Sequence, residues 1–435
     1  MSVSLTALFA VPFAGGPDDA ESGVPNAPQS QSRFTVDGSD ALERKLAQIC
    51  ENVRSGVQSL VRGNKLEALV LGGGYGRGQG GVLKTSSGDE PYNDLEFYVF
   101  LRGNRLWNSR KYGKAFHRLG ENLSALAGLH VEFKLDSLAR LRCSPVTMFS
   151  YDLVSGHKEI LAQKKHRTSN IEHRTSNGGR AEPFGVQCPP VFAGCQHHLE
   201  AKDIPLREAT RLLFNRSTGL LLVKELLRKE SLTPDENDFV GRNLAKAQLA
   251  FGDVVLTAFG RYHWSCVERR DRLEQPGPMD ELPWLAECRQ HHRRGVEFKL
   301  HPRRFVKSLD EFRLEHREIS AFARQLWLWL ESRRLNESFA SVDDYVASRK
   351  NKCPDTSAFR NLLLNAKTFG PASVFDRMSR CYPRERLLNS LPRLLWEETS
   401  DDPNTNWTLQ KQLRSAAPDW QSLVAAYKTV WPAFS

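Results

Sequence analysis

Between Asp40 and Leu60 apolar side chains recur at Leu42, Leu46, Ile49, Val53, Val57 and Leu60. That three-and-four spacing places one face of a helix against a core, and Ser39 or Asp40 is a residue able to cap it. The run EALVLGG then reads as a strand that ends abruptly in GGGYGRGQGG, seven glycines within residues 72–81. A second strand, DLEFYVFL, spans 94–101, a helix follows over about 109–127, and a third strand, HVEFKLDSL, begins at His130. The order helix, strand, glycine turn, strand, helix, strand predicts an α/β unit on a small sheet.

After Lys202 the period becomes helical. DIPLREATRLLFNRSTGLLLVKELLRKE offers Asp203 as a cap and Pro205 in the first turn, and the next segment opens with Thr233, Pro234 and Glu236 in capping-box order. REISAFARQLWLWLESRR and SAFRNLLLNAKTF carry the same spacing. The expected fold class is therefore α+β, a small mixed-sheet domain followed by a mainly α-helical bundle. Residues 11–36 are rich in Gly, Pro, Ser, Asp and Gln without apolar period, so 1–37 is read as a disordered leader. Residues 38–163 form the α/β domain, 164–200 an insertion and linker, and 201–435 the helical region, with room for two subdomains. Within the linker, HRTSNIEHRTSN at 166–177 repeats a polar heptad that can bury no face and is assigned no chemistry.

Composition narrows the setting. The 435 residues, 40% of them hydrophobic, can bury a sizeable core. With 61 Lys and Arg against 51 Asp and Glu the formal charge is +10, which favours anionic partners: nucleotides, nucleic acid or an acidic surface. The excess is diffuse, with no basic arm. Eight cysteines lie far apart without a CxxC, which points to a reducing compartment. No window approaches the ~18 consecutive apolar residues of a membrane helix, and no basic residue precedes the short apolar stretch at the start. A cytoplasmic protein without a membrane partner is expected.

The chemistry concentrates around the glycines. Asp94 and Glu96 are two apart on a strand, so both carboxylates share one face while Leu95 and Phe97 take the other. By itself that pattern describes a solvated strand face. Beside a glycine turn it reads differently, because two like charges at adjacent same-face positions repel unless a cation intervenes, and hard divalent ions prefer oxygen ligands. The third strand adds Glu132 between Val131 and Phe133. Glycines let backbone N–H groups approach phosphate oxygens, and Arg77 adds a positive charge in the same turn. No Lys-Ser or Lys-Thr directly follows the last glycine, so the loop is not a P-loop, and a carboxylate strand is the wrong sequel for a dinucleotide fingerprint.

LVLGGGYGRGQG followed by NDLEFYVF and HVEFKL resembles the nucleotidyltransferase superfamily that includes DNA polymerase beta and the aminoglycoside nucleotidyltransferases. Gly73 and Gly74 match the family's Gly-Gly or Gly-Ser pair, Asp94 and Glu96 its acidic pair, and Glu132 its third acid. The likeness covers about residues 40 to 160 and includes the YGRG common in the small members. It departs from the pattern in the nineteen residues between Gly74 and Asp94, more than is usual, which makes GVLKTSSGDEPYN a longer turn and loosens the alignment of Arg77. The resemblance implies transfer of a nucleoside monophosphate, AMP from ATP, to an unidentified small molecule, protein or RNA, with release of pyrophosphate. It implies two Mg²⁺ ions (Mn²⁺ as substitute) on Asp94 and Glu96. Glu132 is either a third metal ligand or the general base.

Asp136, four residues on, is the competing third acid, set aside because it falls where the strand ends. In the Thr233 helix Arg242, Lys246 and Asp253 form a narrow stripe opposite Leu244, Ala247, Phe251 and Val254, from which Lys246 can reach a triphosphate or acceptor across a cleft, or simply face solvent. Cys188, Cys195, His197 and His198, and likewise Cys288, His291 and His292, lack the paired short spacings of a structural zinc site. Two other function classes fit the chain: a nucleotide-sensing or toxin-neutralising interaction protein that does little chemistry, and an RNA-binding helical protein.

Overall fold

The sheet is built outward from two strands whose side chains alternate into two separate cores. In the computed structural model, which describes residues 33–162, 188–376, 378–397, 403–417 and 419–434, the first half contains α1 (Asp40–Leu60), β1 (Leu66–Leu71), α2 (Gly73–Gly76), β2 (Val82–Thr85), β3 (Gly88–Pro91), β4 (Leu95–Leu101), α3 (Arg105–Ala127), β5 (Val131–Asp136), α4 (Leu138–Cys143), α5 (Met148–Ser155) and β6 (Lys158–Ala162). The sheet order is β5-β4-β1-β6. β1 runs antiparallel to β4 and β6, and β4 runs parallel to β5 because α3 carries the chain back across the sheet. Leu69, Leu71, Phe97 and Val99 pack against α1 and α3, while Val70, Tyr98 and Phe100 pack against α4, α5 and Phe192. Leu95 and Phe97 thus lie on the face opposite Glu96, as strand alternation requires.

The long stretch before Asp94 is a hairpin, β2 with β3, rather than a loose turn. Its return is set by Tyr75, whose buried hydroxyl donates to the Gly81 carbonyl at 2.8 Å and accepts from the amides of Tyr92 at 2.9 Å and Asn93 at 3.4 Å. Burial pushes this phenol up to about 12. A Cβ at Gly80 would come within 1.9 Å of the Tyr75 ring, so the glycine there makes room for it. Gln79 ties the same loop to the helical half, its amide donating to Ser265 Oγ and its carbonyl accepting from Cys266 N–H at 2.8 Å.

The second half consists of α6 (Leu206–Leu226), α7 (Pro234–Ala258), α8 (Cys266–Glu274), α9 (Leu285–Leu300), α10 (Leu309–Leu335), α11 (Val342–Ala347), α12 (Ala358–Phe369), α13 (Pro383–Trp396), α14 (Pro403–Leu413) and α15 (Trp420–Val430). The architecture is α+β. One core joins α6, α7, α10, α13 and α15 through Phe214, Leu244, Phe251, Leu326, Leu391 and Tyr427. The Thr233–Glu236 capping box forms as its sequence requires. Asp203 does not cap α6; it sits in a 3-10 turn and the helix begins after Pro205, whose extended backbone occupies the cap position. None of the described helices is long and apolar enough to cross a membrane.

Residues 1–32 of the expected leader and the HRTSNIE repeat lie outside the described residues. Phe34 and Thr35, also placed in the leader by composition, are buried, and their amides donate to Glu43 of α1 at 2.8 and 3.0 Å.

The Tyr75 hydroxyl is bonded to both ends of the hairpin. Tyr75→Phe is expected to lower stability by about 1–3 kcal/mol, through the bond lost by the Asn93 amide and those lost by the Gly81 carbonyl and the Tyr92 amide, which keep only their mutual 3.2 Å bond. A urea melt monitored by tryptophan fluorescence measures the shift.

Candidate active site

β1 ends at Leu71 beside Phe97, and the Gly72 amide donates to the Glu96 carbonyl at 2.9 Å, so the glycine turn starts alongside the acidic strand. Gly73 adopts φ +62°, a left-handed conformation open to glycine, and a Cβ there would lie 3.6 Å from Glu96 Oε2. The first amides of α2 have no acceptor within their own helix. Gly73, Gly74, Arg77, Asp94 and Glu96 line one cleft of about 420 Å³. Asp94 is exposed, whereas Glu96 is half-buried and accepts a hydrogen bond from Tyr98 at 2.9 Å.

The opposite wall belongs to the helical half. Glu208, Arg211, Leu212 and Asn215 of α6 and Lys299 of α9 line the cleft, with Met148, Phe149 and Asp152 of α5 completing it. Glu208 accepts from the Met148 amide at 3.2 Å and pairs with Arg211 at 3.2 Å. Desolvation, followed by the Arg77 and Arg269 guanidiniums, pushes the Lys299 ammonium down to about 8, against the opposing pull of Cys266 and Asp253. Arg77 reaches Asp152 at 3.3 Å. Three cleft-lining atoms, Arg77 Nε, Asp152 Oδ1 and Asn215 Oδ1, are shielded from solvent without a hydrogen-bond partner.

Behind the cleft runs a chain of buried polar groups. Asp152 accepts from Tyr262 at 3.2 Å, Tyr262 from Arg269 at 3.0 Å, and Arg269 lies 2.7 Å from Asp253, which His292 also approaches at 3.2 Å. Burial raises the Asp152 carboxyl, with Arg77 and Arg269 opposing it. Burial would raise Asp253 too, but Arg269 and His292 more than offset it and hold that carboxyl below the usual range.

Glu132 stands elsewhere. It is the register partner of Glu96 on β5, on the same sheet face, but it lines a neighbouring groove and not the cleft. Lys134 sits between them, 3.3 Å from each carboxylate. Among the described residues no three His, Cys, Asp or Glu side chains gather closely enough to hold a metal ion, so the convergence expected of Asp94, Glu96 and Glu132 is not formed. Asp136 is held by Arg140 and by the Ser137 amide, an anchor for the start of α4. Lys246 does not line the cleft. Crowding by surrounding protein, then Arg216 and Arg242, lower its pKa, and Asp94 acts in the opposite sense. Asp253, placed on the same stripe, turns inward to Arg269 and His292, while Arg242 pairs with Asp238 at 3.5 Å. His291 bonds Gln248, and His198 bonds the Leu141 carbonyl.

The residues that sequence reasoning missed, Arg211, Lys299, Asp152, Glu208 and Asn215, come from segments remote from the glycines. A signal existed for α6 alone: Glu208, Arg211 and Asn215 repeat at three and four along one face of the helix.

Two carboxylates two residues apart beside an anion-favouring turn suit a magnesium ion, which keeps several waters and takes one or two protein carboxylates together with substrate phosphates. Comparison of the chain with protein-family models, with curated proteins and with solved structures finds no match in any of the three.

Because Arg269 is buried against Asp253, removing one partner strands a charge. Arg269→Met is expected to cost about 3–5 kcal/mol, and Arg269→Met combined with Asp253→Leu to recover a good part of it. Thermal denaturation of the two variants against the parent protein decides this.

Proposed function

We propose that the protein is a magnesium-dependent nucleotidyltransferase that moves a nucleoside monophosphate from an NTP to an acceptor hydroxyl, releasing pyrophosphate. The observation that carries this reading is the placement of Asp94 and Glu96 in one cleft with the Gly73–Gly74 turn, facing Arg77, Arg211 and Lys299. ATP as donor and AMP as the transferred group rest on the family resemblance alone.

In this reading the triphosphate lies between the glycine turn with Arg77 and the cations of the opposite wall, Arg211 and Lys299. Asp94 and Glu96 would hold the magnesium, which would supply neutralisation of the triphosphate charge for in-line displacement at the α-phosphorus. Glu132, which lines the adjoining groove, is assigned the proton of the acceptor hydroxyl. Lys299 and Arg211 hold the leaving pyrophosphate.

The direct test incubates the protein with each labelled NTP, Mg²⁺ and cell extract, beside Asp94→Ala and Glu96→Ala. Pyrophosphate release is expected to fall at least about 100-fold in both variants, since even supporting residues of metal sites cost 10–100-fold. Release that is absent from the parent protein, or unchanged in the variants, overturns the proposal.

Lys299 adds a pH signature. Its cationic form attracts phosphate and is present below about 8, so NTP affinity is expected to fall as pH rises from 7 to 9. Lys299→Met should weaken binding about 10- to 100-fold and remove that slope, which calorimetric titration across the range measures.

A further inference from the structure

A groove of about 860 Å³ separates α3 from β5, the outer strand of the sheet. Arg105, Ser109, Gly113 and His117 line it at successive helical turns, with Glu132 and Lys134 across from them. Tyr98 and Phe149 line both groove and cleft, so the two cavities adjoin.

The next face of α3 is unusual. Leu106 and Trp107 are 72% and 70% exposed at its first turn. Between residues 102 and 118 the chain carries six Lys and Arg and no Asp or Glu. Arg110, Lys111, Lys114 and Arg118 are all exposed, and none forms an ion pair among the described residues. Arg110, Lys114 and Arg118 follow one another about 6 Å apart along the helix axis, at one-turn intervals. A row of cations beside an exposed indole is the combination that holds a single strand, the cations on its backbone and the ring under a base. An anionic bilayer also attracts Trp and Lys, but a groove lined by Glu121 and Glu132 that leads to a nucleotide cleft has no use for acyl chains.

We infer that the acceptor is the end of a single-stranded nucleic acid, its backbone following Arg105, Arg110, Lys114 and Arg118, a base stacked on Trp107, and its terminal hydroxyl in the groove beside Glu132. This inference rests on the nucleotidyltransferase reading of the cleft. The hydroxyl oxygen bonds to the α-phosphorus of the NTP, the bond from that phosphorus to the bridging oxygen breaks, pyrophosphate leaves with its electron pair, and the hydroxyl proton passes to the Glu132 carboxylate.

Binding is measured first, without NTP, by fluorescence anisotropy of a labelled 12-nucleotide RNA and the DNA of the same sequence. Flotation with phosphatidylcholine vesicles containing phosphatidylglycerol is the parallel arm. A single strand is expected to bind, more weakly as salt rises. Trp107→Ala should cost about 10-fold, and Arg110→Gln, Lys114→Gln and Arg118→Gln together should flatten the logarithmic salt slope by about 2. The same three-charge removal at Lys350, Arg360 and Lys367 serves as control and should leave affinity unchanged. Equal losses in both triple variants, no loss at Trp107, or binding to vesicles alone overturns the inference. With NTP and Mg²⁺ added, label is expected on a strand that ends in a hydroxyl and not on one that lacks it. Asp94-dependent pyrophosphate release from extract without binding of either strand refutes the acceptor alone. Strand binding with no release under any condition refutes the reading of the cleft, and the acceptor with it.

Discussion

The succession Arg77, Asp152, Tyr262, Arg269, Asp253 and His292, half-buried at its cleft end and buried beyond, is the constraint on which the arrangement of this protein depends. Its members come from the glycine loop, α5, the turn after α7, α8, α7 and α9, so it crosses from the sheet into the helical half. A charge removed from water must be paired, and each of these groups is paired by the next. Hydrophobic contact between the halves tolerates sliding; two carboxylate oxygens that each hold two partners from different segments, Asp152 with Arg77 and Tyr262 and Asp253 with Arg269 and His292, do not. The glycine loop is consequently registered against α9, the helix that delivers Lys299 to the cleft.

That registration sets the electrostatics of the cleft. Arg77 is drawn back toward Asp152, which leaves its Nε without an acceptor, and the proximity of Arg77 and Arg269 adds to desolvation in lowering Lys299. Burial is the chief cause of the lowered Lys299 pKa, and the cleft sets three cations, Arg77, Arg211 and Lys299, against four carboxylates, Asp94, Glu96, Asp152 and Glu208, a balance that suits an anionic ligand only when a metal cation enters with it. The glycine turn faces the same space with amides that its short helix cannot satisfy.

Much of the sheet could be read in the chain because its information is local. Alternation in LEFYVFL, the three-and-four spacing of α1 and the Thr233 capping box each depend on neighbours a few residues away, and each forms. The carboxylates of Asp94 and Glu96 were legible for the same reason. Lys299 and Arg211 were not, since nothing near them in sequence states that α9 and α6 close over a turn more than a hundred residues earlier. Asp203 failed as a cap because Pro205 outranked it locally, and Phe34 joined the core because Glu43 supplied partners for a backbone whose composition argued for disorder. The inward turn of Asp253 was illegible for a different reason. Helical phase alone put it with Lys246 on a polar stripe, whereas Arg269, from another helix, makes it a core residue.

The parallel pairing of β4 and β5 sets Glu132, which lines the groove, directly beside Glu96, which lines the cleft. In that register Glu96 and Glu132 are direct neighbours on one face, a repulsive placement for two carboxylates. The strand supplies its own remedy two residues later: Lys134 reaches both, 3.3 Å from each, with the Tyr98 ring 5.5 Å beneath its ammonium. A lysine in that position does electrostatically what a divalent cation does between like charges, and it holds Glu132 toward the groove while Glu96 stays with the glycines. Any cation that enters beside Asp94 therefore competes with Lys134 for Glu96 and not for Glu132. Strand register makes the two acids neighbours, and Lys134 bridges them at the border between the two adjoining cavities.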